Sequence, residues 1–223
     1  MSRIGESARN VRWRAAKTRD DRNLPDAPSL LVTMKLYFNP HSRAIIAKWM
    51  LDEAGASYEI VPIDFEKKEN RSPEFLALNP AGKLPTLVDD DVKVFENVAI
   101  GLYIADQYPA AKLAPKFDAP ERGRYLSLMV FSTSQIEPAM GDAFMKLETA
   151  PQRGWKDYET IKNILEGELG SGPYLFGDWF TMADIMVGSM LIWARMSKAP
   201  TGSPKLEAYV DRLLQRPKAM RIG

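Results

Sequence analysis

Residues 79–109 read NPAGKLPTLVDDDVKVFENVAIGLYIADQYP, and this stretch decides the fold. Asn79-Pro80-Ala81-Gly82 has turn chemistry, because proline fixes φ and glycine tolerates positive φ. Residues 84–88 have strand composition but carry Pro85, which cannot donate a ladder hydrogen bond. A proline there predicts either a sheet edge or a cis X-Pro bond. Asp89-Asp90-Asp91 is a polar hairpin tip, and residues 92–95 return as a second strand. Glu96-Asn97 then opens a helix with apolar positions at Val98, Ile100, Leu102, Tyr103 and Ile104. A strand held open by proline accepts an extended peptide along its main chain. A helix N-terminus beside it holds a carboxylate on its free N–H groups. These two features describe a site for a small anionic peptide.

Upstream, residues 35–38 form a short buried-type strand, and Asn39-Pro40-His41-Ser42-Arg43 is a turn. Residues 44–54 carry a helix pattern that Gly55 closes as a C′ residue. Residues 58–63 alternate as a strand, and Ser72-Pro73-Glu74 starts a short helix with a serine cap and proline at its first position. The resulting order, β-α-β-α-β-β-α, is a complete small α/β domain over 34–109. Residues 110–120, with Pro115 and Pro120, read as a linker, and 121–223 carry only helical patterns. Thr181 and Asp184 have the spacing of a capping box before an apolar run, and both read as folding residues. Residues 1–33 are crowded with arginine and poor in aliphatics, which predicts a disordered N-terminal extension that is dispensable.

Composition excludes several classes of function. The chain of 223 residues has 45% hydrophobic residues, enough for a substantial core, and a formal net charge of only +1. Nothing global points to nucleic acid or to a membrane surface. There is no cysteine, which removes disulfides, thiolate metal sites and a cysteine nucleophile. A reducing, cytoplasmic setting fits that composition. With a single histidine, His41, the usual multi-histidine zinc sites are excluded, and no metal is expected.

The motifs resemble those of the glutathione transferase superfamily, in which a thioredoxin-like domain precedes an all-helical one. Lys83-Leu84-Pro85 is similar to that family's cis-proline segment, and Glu96-Asn97 falls where the family has Glu-Ser or Asp-Ser. Asn97 departs from the pattern, although its amide is still both donor and acceptor. The resemblance implies an N-terminal thioredoxin-like α/β domain at 34–109 and a C-terminal helical bundle at 121–223. It implies glutathione as co-substrate and a homodimer that pairs the first domain of one subunit with the second domain of the other. The function it implies is stabilisation of the glutathione thiolate for attack on a small apolar electrophile. Two alternatives stand beside it: a glutathione-dependent etherase, dehalogenase or isomerase, and a non-catalytic interaction protein on the same fold.

Free thiols titrate near 8.5, so a protein that uses the thiolate must favour the anion by hydrogen bonds or positive potential. The resemblance puts the donors at the end of the first strand, where Ser42 and Asn39 are the candidates. Ser42 is equally placed to cap the helix. Arg43 is either a charge for the anion or a solvated or inter-subunit cation. Leu84 and Pro85 would pair with the cysteinyl part, Glu96 with the γ-glutamyl ammonium, and Asn97 with the γ-glutamyl carboxylate. Arg71 and Lys83 would meet the glycyl carboxylate or other polar groups. The electrophile is expected between the domains, near His41, Tyr125, Met129 and Ser132, with Gln135 and Met140 further along.

Overall fold

The structure is a computed structural model and describes residues 34–197 and 202–221. The expected N-terminal extension lies outside the described residues. The first half is built on a four-stranded sheet of β1 (Met34–Phe38), β2 (Glu59–Pro62), β3 (Thr86–Asp89) and β4 (Val92–Phe95), in the order β2-β1-β3-β4. β1 and β2 run parallel, whereas β1–β3 and β3–β4 are antiparallel. Helices α1 (Ala44–Ala54), α2 (Pro73–Leu76) and α3 (Asn97–Gln107) complete it. Gly55 ends α1 in the left-handed region at φ 69°, as its C′ position demands, and its N–H returns to the last turn. Ser72 accepts from the N–H of Phe75 and Pro73 sits at the first position of α2.

One expectation is corrected by the sheet order. Pro85 does not mark a sheet edge, since β3 lies between β1 and β4 and starts only at Thr86. The Leu84–Pro85 bond is cis, the other reading of that proline. Proline's missing N–H is harmless there because the ladder with β1 begins one residue later, at Thr86 opposite Tyr37.

The second half is helical: α4 (Arg122–Phe131), α5 (Glu137–Phe144), α6 (Tyr158–Leu169), α7 (Met182–Met196) and α8 (Pro204–Leu214). Between α4 and α5 the chain widens into a π turn at Ser132–Ile136. Pro138 explains it, because proline lacks the N–H for the carbonyl four residues back and its ring crowds that carbonyl. α7 is buried along nearly its whole length. Its start is the expected capping box: Thr181 accepts from the Ala183 N–H, and Asp184 accepts from the Thr181 N–H at 2.8 Å. The same carboxylate takes the Leu175 N–H and the Tyr209 hydroxyl, both at 2.9 Å. Burial pushes the Asp184 carboxyl up, and these donors offset part of that cost.

Apart from a small cluster of Ala44, Ile63, Phe75 and Leu84 in the first half, the two halves share their interior. One contiguous hydrophobic core runs from Met34, Leu36, Trp49 and Ile104 through Leu128, Ile185 and Leu191 to Leu213 and Met220. Polar ties cross between the halves as well. Arg216 forks onto Glu53 of α1 with two contacts of 2.8 Å and stacks on Phe180, its guanidinium carbon 3.6 Å from the ring centre.

Candidate functional site

The register of the ladders brings the sequence-predicted residues together. Tyr37 and Phe95 both pair with Thr86, so the end of β1, the start of β3 and the end of β4 share one end of the sheet. Asn39, Pro85 and Glu96 therefore emerge side by side. α1 and α3 begin at this same end, and their first turns are joined by a hydrogen bond from the Asn97 amide to the Arg43 carbonyl, 3.2 Å long. Two helix N-termini with their positive dipole ends thus flank the cis Leu84–Pro85 segment.

That segment is held from beneath by a side chain whose turn context does not announce an anchoring role. Asn79 reads as turn chemistry, yet its side chain is only 1% exposed. Its amide donates to the Lys83 carbonyl at 2.9 Å and to the Thr86 hydroxyl at 3.1 Å, and its oxygen accepts from the Ala81 N–H. The Asn70 amide binds the Gly82 carbonyl from the other side, and Arg71 lies 3.4 Å from the Ala81 carbonyl. Gly82 has φ 62°, and a Cβ there would lie 2.7 Å from Arg71 Nη1 and 2.9 Å from the Asn70 carbonyl, so only glycine fits. Leu84 and Pro85 are buried, whereas Arg71 and Lys83 are exposed cations along the same loop.

At the start of α1, Ser42 donates its hydroxyl to the Asn39 carbonyl at 2.7 Å and accepts from the Ala44 N–H at 3.2 Å. Asn39 donates its amide to the Ile63 carbonyl at 2.8 Å and accepts from the His41 N–H. Both thiolate-donor candidates lie at the site, but Asn39 is committed to tying the end of β1 to the chain beyond β2. Glu96 precedes α3 at φ 70° and ψ 128°, a region that residues with a side chain rarely adopt, and its side chain is exposed and does not cap the helix. Asn97 is buried, and its Oδ1 has no hydrogen-bond partner among the described residues.

Arg43 is exposed but not free. Its guanidinium pairs with Glu137 at the start of α5 and lies 4.9 Å from the ring centre of Trp193 on α7. Beside it is a cavity of about 280 Å³ lined by Pro40, His41, Ile45, Trp193, Met196 and Ser197. His41 thus sits where the electrophile was expected. The other three candidates need correcting. Tyr125, Met129 and Ser132 are fully buried. Tyr125 packs against Phe176, Met129 crowds Gly101, and Ser132 donates to the Met129 carbonyl, so none presents a face to a substrate. Burial also pushes the Tyr125 phenol up, away from any acid–base use near neutrality. Gln135 instead pins the chain near Gly154 and Lys156. Trp193 was missed because every side of α7 is apolar, and nothing in such a pattern marks the one turn that borders a cavity. Among the described residues no group of acidic or histidine side chains is placed to hold a metal ion, and no helix is long and apolar enough to cross a membrane.

Comparison with known proteins converges on the same family. Residues 32–106 match the family model described as "Glutathione S-transferase, N-terminal domain", and residues 152–212 match "Glutathione S-transferase, C-terminal domain". Glutathione S-transferase F10 of Arabidopsis thaliana is 34% identical over 161 residues, covering 66% of this chain and 73% of its own. Glutathione S-transferase 3 of Zea mays is 30% identical over 208 residues, 84% of this chain and 91% of its own. Among solved structures, a sphingomonad glutathione S-transferase complexed with glutathione is 34% identical at a TM-score of 0.67, covering 83% of this chain and 94% of its own. A theta class glutathione S-transferase from Xanthomonas axonopodis pv. citri, with glutathione bound, is 29% identical at a TM-score of 0.71, covering 86% and 97%.

Proposed function

The chain belongs to the glutathione S-transferase family, and from that membership we propose that it is a glutathione transferase that holds the glutathione thiolate for attack on a small apolar electrophile. The observation that carries the reading is the convergence of the cis Leu84–Pro85 segment with the N-termini of α1 and α3 at one end of the sheet. Glutathione lies extended across that end. Its cysteinyl main chain pairs with Leu84, which lies beyond the last ladder pair of β3. Its γ-glutamyl end meets Glu96 and the first N–H groups of α3, and its glycyl carboxylate faces the exposed cations Arg71 and Lys83.

The sulfur then points at the turn before α1. There Ser42 turns its hydroxyl from the Asn39 carbonyl to the thiolate, assisted by the positive end of α1. The electrophile occupies the cavity bordered by His41 and Trp193. The thiolate attacks its electron-poor carbon, a C–S bond forms, and the leaving group departs with the bonding pair. Protein residues are not consumed; they position the nucleophile and depress its pKa.

We read the assembly as a homodimer and the setting as cytoplasmic. The exposed apolar side chains Leu126 and Val130 of α4, and Val92 and Phe95 of the edge strand β4, support an interface between copies. The function is tested by calorimetric titration of the protein with glutathione, combined with thiolate absorbance as pH is raised. Binding with a thiol pKa well below the free value of about 8.5 is expected. Absence of glutathione binding would overturn the reading.

A further inference from the structure

Arg43 belongs to both halves of the site at once, and each of its ends is tied. Its carbonyl receives the Asn97 amide from the start of α3. Its guanidinium is paired with Glu137 of α5 and lies 4.9 Å from the ring centre of Trp193. Trp193 is the aromatic residue lining the cavity, whose other walls are Pro40, Ile45 and Met196 with His41 and Ser197 as polar members. The indole Nε1–H finds no acceptor among the described residues, so no hydrogen bond to them fixes the tilt of the ring. The planar guanidinium laid against it does that instead, and Glu137 holds the guanidinium in place.

We propose that Trp193 is the specificity-determining residue of the cavity, selecting flat aromatic electrophiles over aliphatic ones, and that Arg43 and Glu137 are positioning residues that hold its ring. The inference rests on the transferase reading for the reaction but not for the cavity. Three features point to an aromatic occupant. A rigid ring offers offset or edge-to-face contact that an alkyl chain cannot use. Pro40, Ile45 and Met196 add apolar wall beside the polar His41 and Ser197, and the volume of about 280 Å³ suits a molecule of one or two rings. Asn97 brings the peptide half into the same junction, since the backbone it grips is the backbone that carries the guanidinium.

The test uses the full chain with an activated aryl halide and an alkyl halide of similar size, glutathione being the second substrate. Glu137→Gln and Trp193→Leu are each expected to lower kcat/KM for the aryl halide about tenfold or more, and that for the alkyl halide by less than about threefold. Trp193→Phe should restore most of the aryl preference, and the KM for glutathione and the thiol pKa should not move. A parallel fall for both halides, or an unchanged aryl rate, would overturn the inference. If the wild type turns over neither halide, the transferase reading fails, and the cavity is then read without chemistry. Nitrobenzene should quench tryptophan emission in the wild type and do so less in Trp193→Phe. Equal quenching in the two proteins would overturn the aromatic wall itself.

Discussion

Ser42 donates its hydroxyl to the carbonyl of Asn39, 2.7 Å away, and closes the turn before α1 from within. A thiolate reaching this turn competes with that carbonyl for one proton. Relative strength settles the competition. A neutral hydrogen bond contributes about 1 kcal/mol net, and one to an ionised acceptor is roughly twice as strong. Ser42→Ala is therefore expected to raise the bound thiol pKa toward the free value and to lower kcat by about 10²-fold. Ser42 does not cap α1, whose N-cap position is Arg43, so the variant loses only the bonds to the Asn39 carbonyl and the Ala44 N–H, about 1 kcal/mol of stability. Asn39→Ala should show the opposite balance, because its amide holds Ile63 at 2.8 Å: a larger loss of stability and a smaller move in thiol pKa. Thiolate absorbance and thermal melting of the two variants check this together, and equal thiol pKa values in Ser42→Ala and wild type would remove Ser42 from its role.

Asn79 anchors the loop before the cis Leu84–Pro85 bond from inside the protein. Removing its amide strands the Ala81 N–H and leaves the Lys83 carbonyl and the Thr86 hydroxyl only their 3.2 Å bond to each other. Asn79→Ala should cost about 2–3 kcal/mol, the range for buried polar groups left unpaired. It should also raise the KM for glutathione while kcat changes less. Asn79→Asp keeps the shape but places an acceptor against the Lys83 carbonyl, so it should not rescue. Denaturant melts and steady-state kinetics with glutathione as the varied substrate provide the check.

The clamp between Glu53 and Arg216 predicts an acid-sensitive stability. Burial pushes the Glu53 carboxyl up. Hydrogen bonds from Arg216 and Trp49 and the charges of Arg216 and Lys218 outweigh it, so the carboxyl titrates below its ordinary value of 4.5. A depressed carboxyl contributes stability that is complete above 4.5 and is lost as pH falls through the lower folded value. Glu53→Gln should flatten the acid limb of the stability–pH curve in that window. Near neutrality it should cost between the ~1 kcal/mol of an exposed pair and the ~3–5 kcal/mol of a fully buried one. Melting temperatures on either side of pH 4.5, wild type against variant, measure it.

The sequence carried the frame of the site because backbone chemistry is local. Pro85, Gly55, Ser72 and the Thr181–Asp184 pair each announce a conformation through their own covalent structure, and each adopts one of the conformations it announces. Glu96 and Asn97 lie where the hairpin places them. What stayed hidden depends on which face of a helix meets which neighbour. On α4, Tyr125, Leu128 and Met129 are buried while Leu126 and Val130 are exposed, so apolar residues stand on both faces and periodicity alone does not choose between them. Ser132 opens the π turn, where one extra residue shifts every later side chain around the axis. Asn79 was hidden for another reason: the same residue type serves an exposed turn and a buried amide anchor, and only burial tells them apart.

The common interior of the two halves has a consequence for how the molecule comes apart. Trp49 on α1 and Phe180 just before α7 stack within 6.2 Å, inside a core to which both halves contribute. Loosening the helical half therefore uncovers the face of α1 that carries Trp49, and the first half keeps sealed only its small cluster of Ala44, Ile63, Phe75 and Leu84. Such a molecule melts in a single cooperative step. Severed at the chain between α3 and α4, each fragment would carry a greasy open wound and precipitate rather than fold.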